Sequence, residues 1–385
     1  MFAIAPPIRP FLRIATITVS VLGWVPLATA GEAEDTDRIQ RAIAYLDARQ
    51  DEWSDFAPAQ RGKDADQTSC VSCHTGLSYA LARPALRRFA GKPGQGPAAP
   101  EDRMIAAVSL RVEHWDELDS PRFRLMYDGD DRKKVESRGT EAVLDALILA
   151  RHDAAQGRTK PSETTQAALS HLWRTQVKEG DAAGSWVWLN FGLEPWEAPG
   201  SSAFGAALAA IAAGSAPGYL GQELDEPAAK GVGSLRDYLR RRFPDETLYN
   251  RVWILEASAT LDGILTADQK RKVLDQLIPL QREDGGWSLA SFGSFKRVDG
   301  TPRVNDSDGY ATGVVLHALL RGGTTSASPE VVKGLAWIRS HQQADGSWPG
   351  RSVNKERDPA TFAGKLMTDA ATAIVAQSLI EAEAR

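Results

Sequence analysis

The chain has 385 residues, with 45 Lys and Arg against 50 Asp and Glu, a formal charge of −5 and 43% hydrophobic residues. That balance excludes a disordered acidic tail, a polybasic nucleic-acid binder and a protein of many membrane spans. Its two cysteines are too few for a disulfide-stapled scaffold or a four-thiolate zinc site.

Residues 1–30 read as a secretory signal peptide. Arg9 and Arg13 form a positive start, Ile14 to Leu27 is apolar and uncharged, and Ala28-Thr29-Ala30 before Gly31 is a small-x-small cleavage site. The apolar run is shorter than the roughly 20 residues of a spanning helix, so stable membrane insertion is not expected after cleavage. An uncleaved anchor is the alternative, and either way the rest is expected to be periplasmic or otherwise exported. The mature chain then carries 43 basic and 50 acidic residues, a charge of −7 that disfavours nucleic acid and anionic head groups as partners.

Next comes Cys70-Val71-Ser72-Cys73-His74, the C-x-x-C-H spacing of covalent haem attachment. Two thiols one helical turn apart can add to the two vinyl groups of one porphyrin edge while the adjacent imidazole reaches the iron. The expectation is one covalently attached haem c on Cys70 and Cys73, with His74 as proximal ligand. A thioredoxin-like C-x-x-C belongs to a strand-to-helix context that is missing here, and zinc needs further ligands from distant histidines. The apolar spacing from Leu77 through Phe89 predicts a helix directly after the motif, so the haem site is expected within about 61–90.

A pattern then recurs along the chain: a helix ending in Gln, a short turn, then Gly and Trp. Its copies are Gln342 with Gly346 and Trp348, Gln281 with Gly285 and Trp287, Gln176 with Gly184 and Trp186, and, less completely, Gln50 with Trp53. The glutamine is expected to bond helix-end carbonyls and stack on the indole. These motifs resemble the QW repeats of the squalene cyclase and prenyltransferase superfamily, whose members form α/α toroids. The resemblance implies an all-α (α/α)6 toroid of six helix pairs, terpenoid cyclase-like, over 31–385 as one domain. Outer helices are expected near 36–50, 101–118, 162–177, 228–242, 267–281 and 329–342. Inner helices are expected near 71–90, 138–152, 201–214, 246–262, 307–321 and 367–383. The second and fourth pairs rest on helical pattern alone.

In such a barrel the inner helices all start at one end, which gathers the haem motif with Glu141, Asp308 and Asp369 as candidate catalytic carboxylates. Each of these is also an ordinary partner for a helix N-terminus. Loops 190–200 and 288–305, with Phe191, Trp196, Phe292 and Phe295, are expected to form an apolar lid or pocket wall. Asp308 lies where class II terpene cyclases carry the acid of their Asp-x-Asp-Asp motif, so the resemblance implies a proton donor there. Gly309 replaces the last Asp of that motif, which removes a neighbour that would activate the acid. Asp128-Gly129-Asp130-Asp131 matches the string but reads as an exposed turn. Met126, His114 and Met367 are the candidates for the distal haem ligand.

Three functions fit these observations. One is an exported monohaem c-type protein for electron transfer or haem-dependent oxidation, with a redox partner protein or a small apolar substrate. A second is a terpenoid cyclase with Asp308 as acid and haem as an accessory. The third is a non-catalytic haem-bearing binding module.

Overall fold

The structure is a computed structural model that describes Met1 and residues 30–71, 73–91 and 98–384. The expected signal peptide lies almost wholly outside these residues, as does Ser72. Among them are twelve α-helices and one short antiparallel pair, β1 (Gln60–Arg61) with β2 (Thr68–Ser69). No described helix is long and apolar enough to cross a membrane.

The odd-numbered helices form the outer layer: α1 (Ala30–Asp55), α3 (Ala99–Glu113), α5 (Glu163–Thr175), α7 (Glu226–Arg242), α9 (Ala267–Leu277) and α11 (Pro329–Ser340). The inner layer is α2 (Thr75–Ala90), α4 (Asp131–Ala155), α6 (Ser202–Ser215), α8 (Leu248–Ala257), α10 (Gly309–Arg321) and α12 (Phe362–Glu383). Each inner helix packs on the next, and α12 returns to α2, so the ring closes. The chain is an (α/α)6 toroid.

Composition separates the two layers. In α6 every residue from Ala203 to Ala213 is buried, because alanine-rich walls let neighbouring inner helices approach on all sides. The outer helix α7 buries Ala228, Gly231, Val232, Leu235, Tyr238 and Leu239 on one stripe and ends in Arg240-Arg241-Arg242, favourable partners for a helix C-terminus. Helix starts follow the capping rules: Thr266 and Gln269 form a reciprocal capping box on α9, and Asp225 and Ser162 cap α7 and α5.

The repeat motif joins consecutive pairs. Gln176 donates to the carbonyls of Gly184 at 3.2 Å and of Gly231 in α7 at 2.9 Å. Gln281 does the same to Gly285 and Glu330 of α11, at 2.9 and 2.8 Å. Each tryptophan instead caps its own outer helix, with the indoles of Trp186, Trp287 and Trp348 donating to Leu172, Leu277 and Ile338. The division of labour therefore differs from the sequence expectation: tryptophan satisfies the helix end, and glutamine ties it to the next outer helix. The turn glycine is required because a Cβ on Gly184, whose φ is +97°, would lie 2.1 Å from the Ser234 carbonyl oxygen of α7. The fourth copy departs from the pattern. Trp53 lies within α1, with no glycine turn before it, and its indole donates to the Cys70 carbonyl at 2.8 Å.

Candidate functional site at the barrel mouth

The mouth is the end where the inner helices begin. The segment between α5 and α6 crosses it as a strap and lowers Trp196 into the opening, where that ring is 4% exposed. The strap braces itself: the Trp188 indole donates to the Trp196 carbonyl at 2.8 Å, and Leu193 bridges Glu197. It is also held from outside, by Lys133 at the Asn190 carbonyl and Asn354 at the Glu194 carbonyl.

Beneath the strap is an aromatic cage. The Trp196 ring lies 5.2 Å from Tyr310, 5.9 Å from Tyr249 and 5.0 Å from the His74 imidazole. Phe204 packs 5.2 Å from Trp253, and the Tyr249 and Tyr310 hydroxyls are 3.1 Å apart. The hollow inside, bounded by Cys73, Leu77, Trp196, Phe204, Trp253 and Tyr310, has a volume of only about 20 Å³. Of the four aromatic residues expected in the lid, Trp196 alone enters the cage. Phe292 and Phe295 are buried elsewhere in the core, and Phe191 sits outside, edge-on to Tyr127.

The sequence expectation places both cysteines on one helical turn; the structure does not. Helix α2 starts at Thr75, after the motif, and Cys70 follows β2 with its N–H bonded to the Ala59 carbonyl at 2.9 Å. The two thiols consequently meet different surroundings. Burial pushes the Cys70 thiol up against the pull of the nearby Arg61 and Arg111. Burial pushes Cys73 well above the usual thiol range, and the Glu197 carboxylate, which it meets, adds to this. Burial, with the Arg357 charge, lowers His74 to about 4, so its imidazole is neutral.

Two free thiols and a neutral imidazole are the donors that a covalent haem takes. The space is not there: a macrocycle needs a hollow on the order of several hundred Å³, whereas the hollow beside Cys73 has about 20 Å³ and the Trp196 ring packs on His74. As packed, these residues do not fit a haem. Of the distal candidates, Met126 and Met367 are buried in the core, and His114 lies at the end of α3 with Nδ1 2.9 Å from Glu117 and its ring stacked on Phe123. Among the described residues no cluster of three or more His, Cys, Asp or Glu is arranged to hold a metal ion.

The three carboxylates have distinct settings. Asp369 is fully buried and accepts from Arg49 Nε at 2.8 Å, Arg49 Nη2 at 3.0 Å, Tyr45 at 2.9 Å and Thr75 at 2.6 Å, locking α12 to α1 and α2. Glu141 is fully buried in an ion pair with Arg111. Beside it burial, reinforced by the Glu141 charge, raises Asp145 well above the ordinary value of an aspartate. Asp308 caps α10, taking the N–H of Ala311 at 2.9 Å and of Leu289 at 2.8 Å, and burial raises it to about 6 despite those bonds. Asp130 caps α4 and Asp128 pairs with Arg124, so the Asp128–Asp131 string is an exposed turn.

Sequence reading missed Glu197. Burial raises its pKa, and its carboxylate meets the Cys73 thiol. The signal available was its place beside Trp196 in a loop already assigned to the mouth.

Fold and site together define a closed (α/α)6 toroid with an aromatic-lined mouth. No protein-family model matches the chain, and no curated protein does. Several solved structures are similar to it. A glycosidase variant aligns at 11% identity over 92% of this chain and 99% of its own, with a TM-score of 0.54. A glycosidase in complex with glucose aligns at 12% identity over 92% and 99%, with a TM-score of 0.52. The type II terpene cyclase MstE from Scytonema aligns at 14% identity over 91% and 98%, with a TM-score of 0.47. At these identities the likeness is one of fold.

Proposed function

We propose that the chain is a toroid enzyme that protonates an apolar, isoprenoid-like substrate at the mouth, as a terpenoid cyclase does. The observation that carries this reading is Asp308, a buried carboxylic acid raised to about 6 and set two residues before Tyr310 of the aromatic cage. Near neutral pH an acid in that range is mainly ionised but keeps a minor protonated fraction, far larger than that of an ordinary aspartate, from which a proton can be donated. The N–H groups of Leu289, Tyr310 and Ala311 stabilise the carboxylate left behind. The proton adds to an alkene carbon, the π pair becomes the new C–H bond, and the neighbouring carbon becomes cationic. A second alkene then closes a ring onto it. The faces of Trp196, Phe204, Tyr249, Trp253 and Tyr310 steady such a cation. The final proton passes to a base, and His74 is a neutral one at the same rim. Substrate entry requires the strap to lift Trp196.

The test is incubation of the purified chain with linear isoprenoids, followed by mass spectrometry of the products. A cyclic product is expected, lost about 100-fold in Asp308→Asn and about tenfold in Tyr310→Phe. Failure to cyclise any linear isoprenoid, or an Asp308→Asn variant as active as the parent, overturns the reading.

A second reading, an exported c-type haem protein serving electron transfer, oxidation of an apolar substrate or non-catalytic binding, is favoured by the free thiols and the neutral His74. It requires displacement of the strap before a macrocycle is admitted. Expression in a haem-competent exporting host tests it: a c-type visible spectrum, absent from the Cys70→Ala/Cys73→Ala variant, supports it, and a colourless protein overturns it.

A further inference from the structure

A larger cavity, of about 470 Å³, lies at the opposite end of the barrel, where the inner helices finish and α9 flanks them. It falls within the size range of small-molecule sites. Leu81, Ile211, Val252, Leu274, Val314 and Ile374 supply an apolar wall. Among its charged lining residues Glu256 is the sole carboxylate, against Arg151, Lys270, Arg271, His317 and Arg321.

Most of these charges are already matched. His317 lies 3.5 Å from Glu256 and 2.9 Å from Glu381, a carboxylate behind the wall, and Arg321 lies 3.3 Å from Glu256. Arg271 pairs with Asp268, and Lys270 donates at 3.2 Å to the Ser258 carbonyl at the end of α8. Arg151 is different. Its Nη2 donates to the Leu81 carbonyl at 2.7 Å, its buried Nε meets no acceptor, and no carboxylate stands within ion-pair distance among the described residues. Burial lowers its guanidinium to about 10 despite the Glu256 charge. A half-buried cation whose one hydrogen-bond partner is a neutral carbonyl gains from an anion that joins it. The carbonyl ends of the inner helices add negative potential at this end, so they do not supply that anion's attraction; the lining cations do.

We propose that the base cavity binds an apolar molecule with one anionic head group, a carboxylate or a phosphate. The head group pairs with the guanidinium of Arg151, which lines the cavity and has no carboxylate partner among the described residues, and the hydrocarbon lies along Leu81, Ile211, Val252 and Ile374. Trp253 lines both this cavity and the hollow at the mouth, so an occupant here is reported by that indole. The site does not depend on the chemistry proposed for the mouth.

Titration of the full chain with dodecanoate, dodecyl phosphate and dodecanol, followed by calorimetry and tryptophan fluorescence, tests this. At least one anionic ligand is expected to bind about tenfold or more tightly than the alcohol, and which of the two does so identifies the head group. Arg151→Gln should remove that preference while leaving alcohol binding in place. Should Arg151→Gln fail to fold, the exposed rim substitution Ala259→Trp replaces it and should block all three ligands. Equal binding of alcohol and anions to the parent chain, no binding of any, an anion preference kept in a folded Arg151→Gln, or, where that variant does not fold, binding undiminished in Ala259→Trp overturns the proposal.

Discussion

Gln342, just past the end of α11, donates at 2.8 Å to the carbonyl of Arg38 in α1, 304 positions away, and accepts from the Arg41 guanidinium at 2.7 Å. The same contact that links neighbouring repeats elsewhere here joins the last repeat to the first. Asp35 reinforces it, accepting from Arg339 Nε and Nη2 at 3.0 and 2.7 Å. A toroid has no free ends only if this seam holds.

Gln342→Ala is therefore expected to cost about 1–3 kcal/mol, since it removes a donor shared by two carbonyls. Urea unfolding of this variant beside Gln281→Ala, which breaks an internal link of the same geometry, checks it. Equal losses would mark the seam as an ordinary repeat junction. A lowered m-value in Gln342→Ala alone would mark partial opening of the ring.

Asp369→Asn leaves the buried Arg49 guanidinium facing an amide. The expected destabilisation is about 3–5 kcal/mol, the range for breaking a buried ion pair on one side. Thr75→Ala, which removes one neutral donor from the same carboxylate, should cost about 1 kcal/mol. A thermal melt that ranks the two the other way would show Asp369 is not held mainly by Arg49.

Stability should also depend on His317. Glu256 and Glu381, with the opposing charge of Arg321 nearby, raise it from 6.5 to about 9 against the effect of burial. The folded state thus holds this proton more tightly than the unfolded chain. The contribution is full below pH 6.5 and is lost as pH rises towards about 9. The loss is on the order of 2–3 kcal/mol. Urea midpoints of the parent and of His317→Gln should converge as pH rises across that window; a constant difference would contradict the ion-pair assignment.

Trp196→Ala should expose what the strap covers. Cys73 is buried and held as a thiol, so it is expected to react slowly with a thiol reagent. Removing the indole is expected to speed labelling at Cys73 by about tenfold or more, at a stability cost of about 3–5 kcal/mol. Labelling confined to Cys70 would place the opening elsewhere.

Much of the architecture was legible in the chain itself. All twelve expected helices are present, because the apolar period of the outer helices and the small residues of α6, α10 and α12 are local properties. Even the pairs without the Gln and Trp motif were visible from that period. Boundaries shifted where a turn intervened: α8 ends at Ala257, short of the expected 262, and α2 begins after the C-x-x-C-H motif instead of within it.

The site was less legible, and the reason is physical. Residue type and spacing identify which groups carry chemistry, and they singled out Cys70, Cys73, His74, Asp308, Glu141 and Asp369. They do not say which neighbours a closed ring will press against those groups. Asp369 lies in a clamp because α1 and α12 meet across the seam, and Cys70 and Cys73 share no helical turn because β2 ends just before Cys70 and α2 starts only at Thr75. Glu197 and Trp196 became central because a loop folded inward, and Arg151 became a half-buried cation without a carboxylate partner because the ends of inner helices enclose it. Periodicity and composition determined the toroid; the packing of residues far apart in the chain decided the environment, and hence the protonation and access, of each group within it.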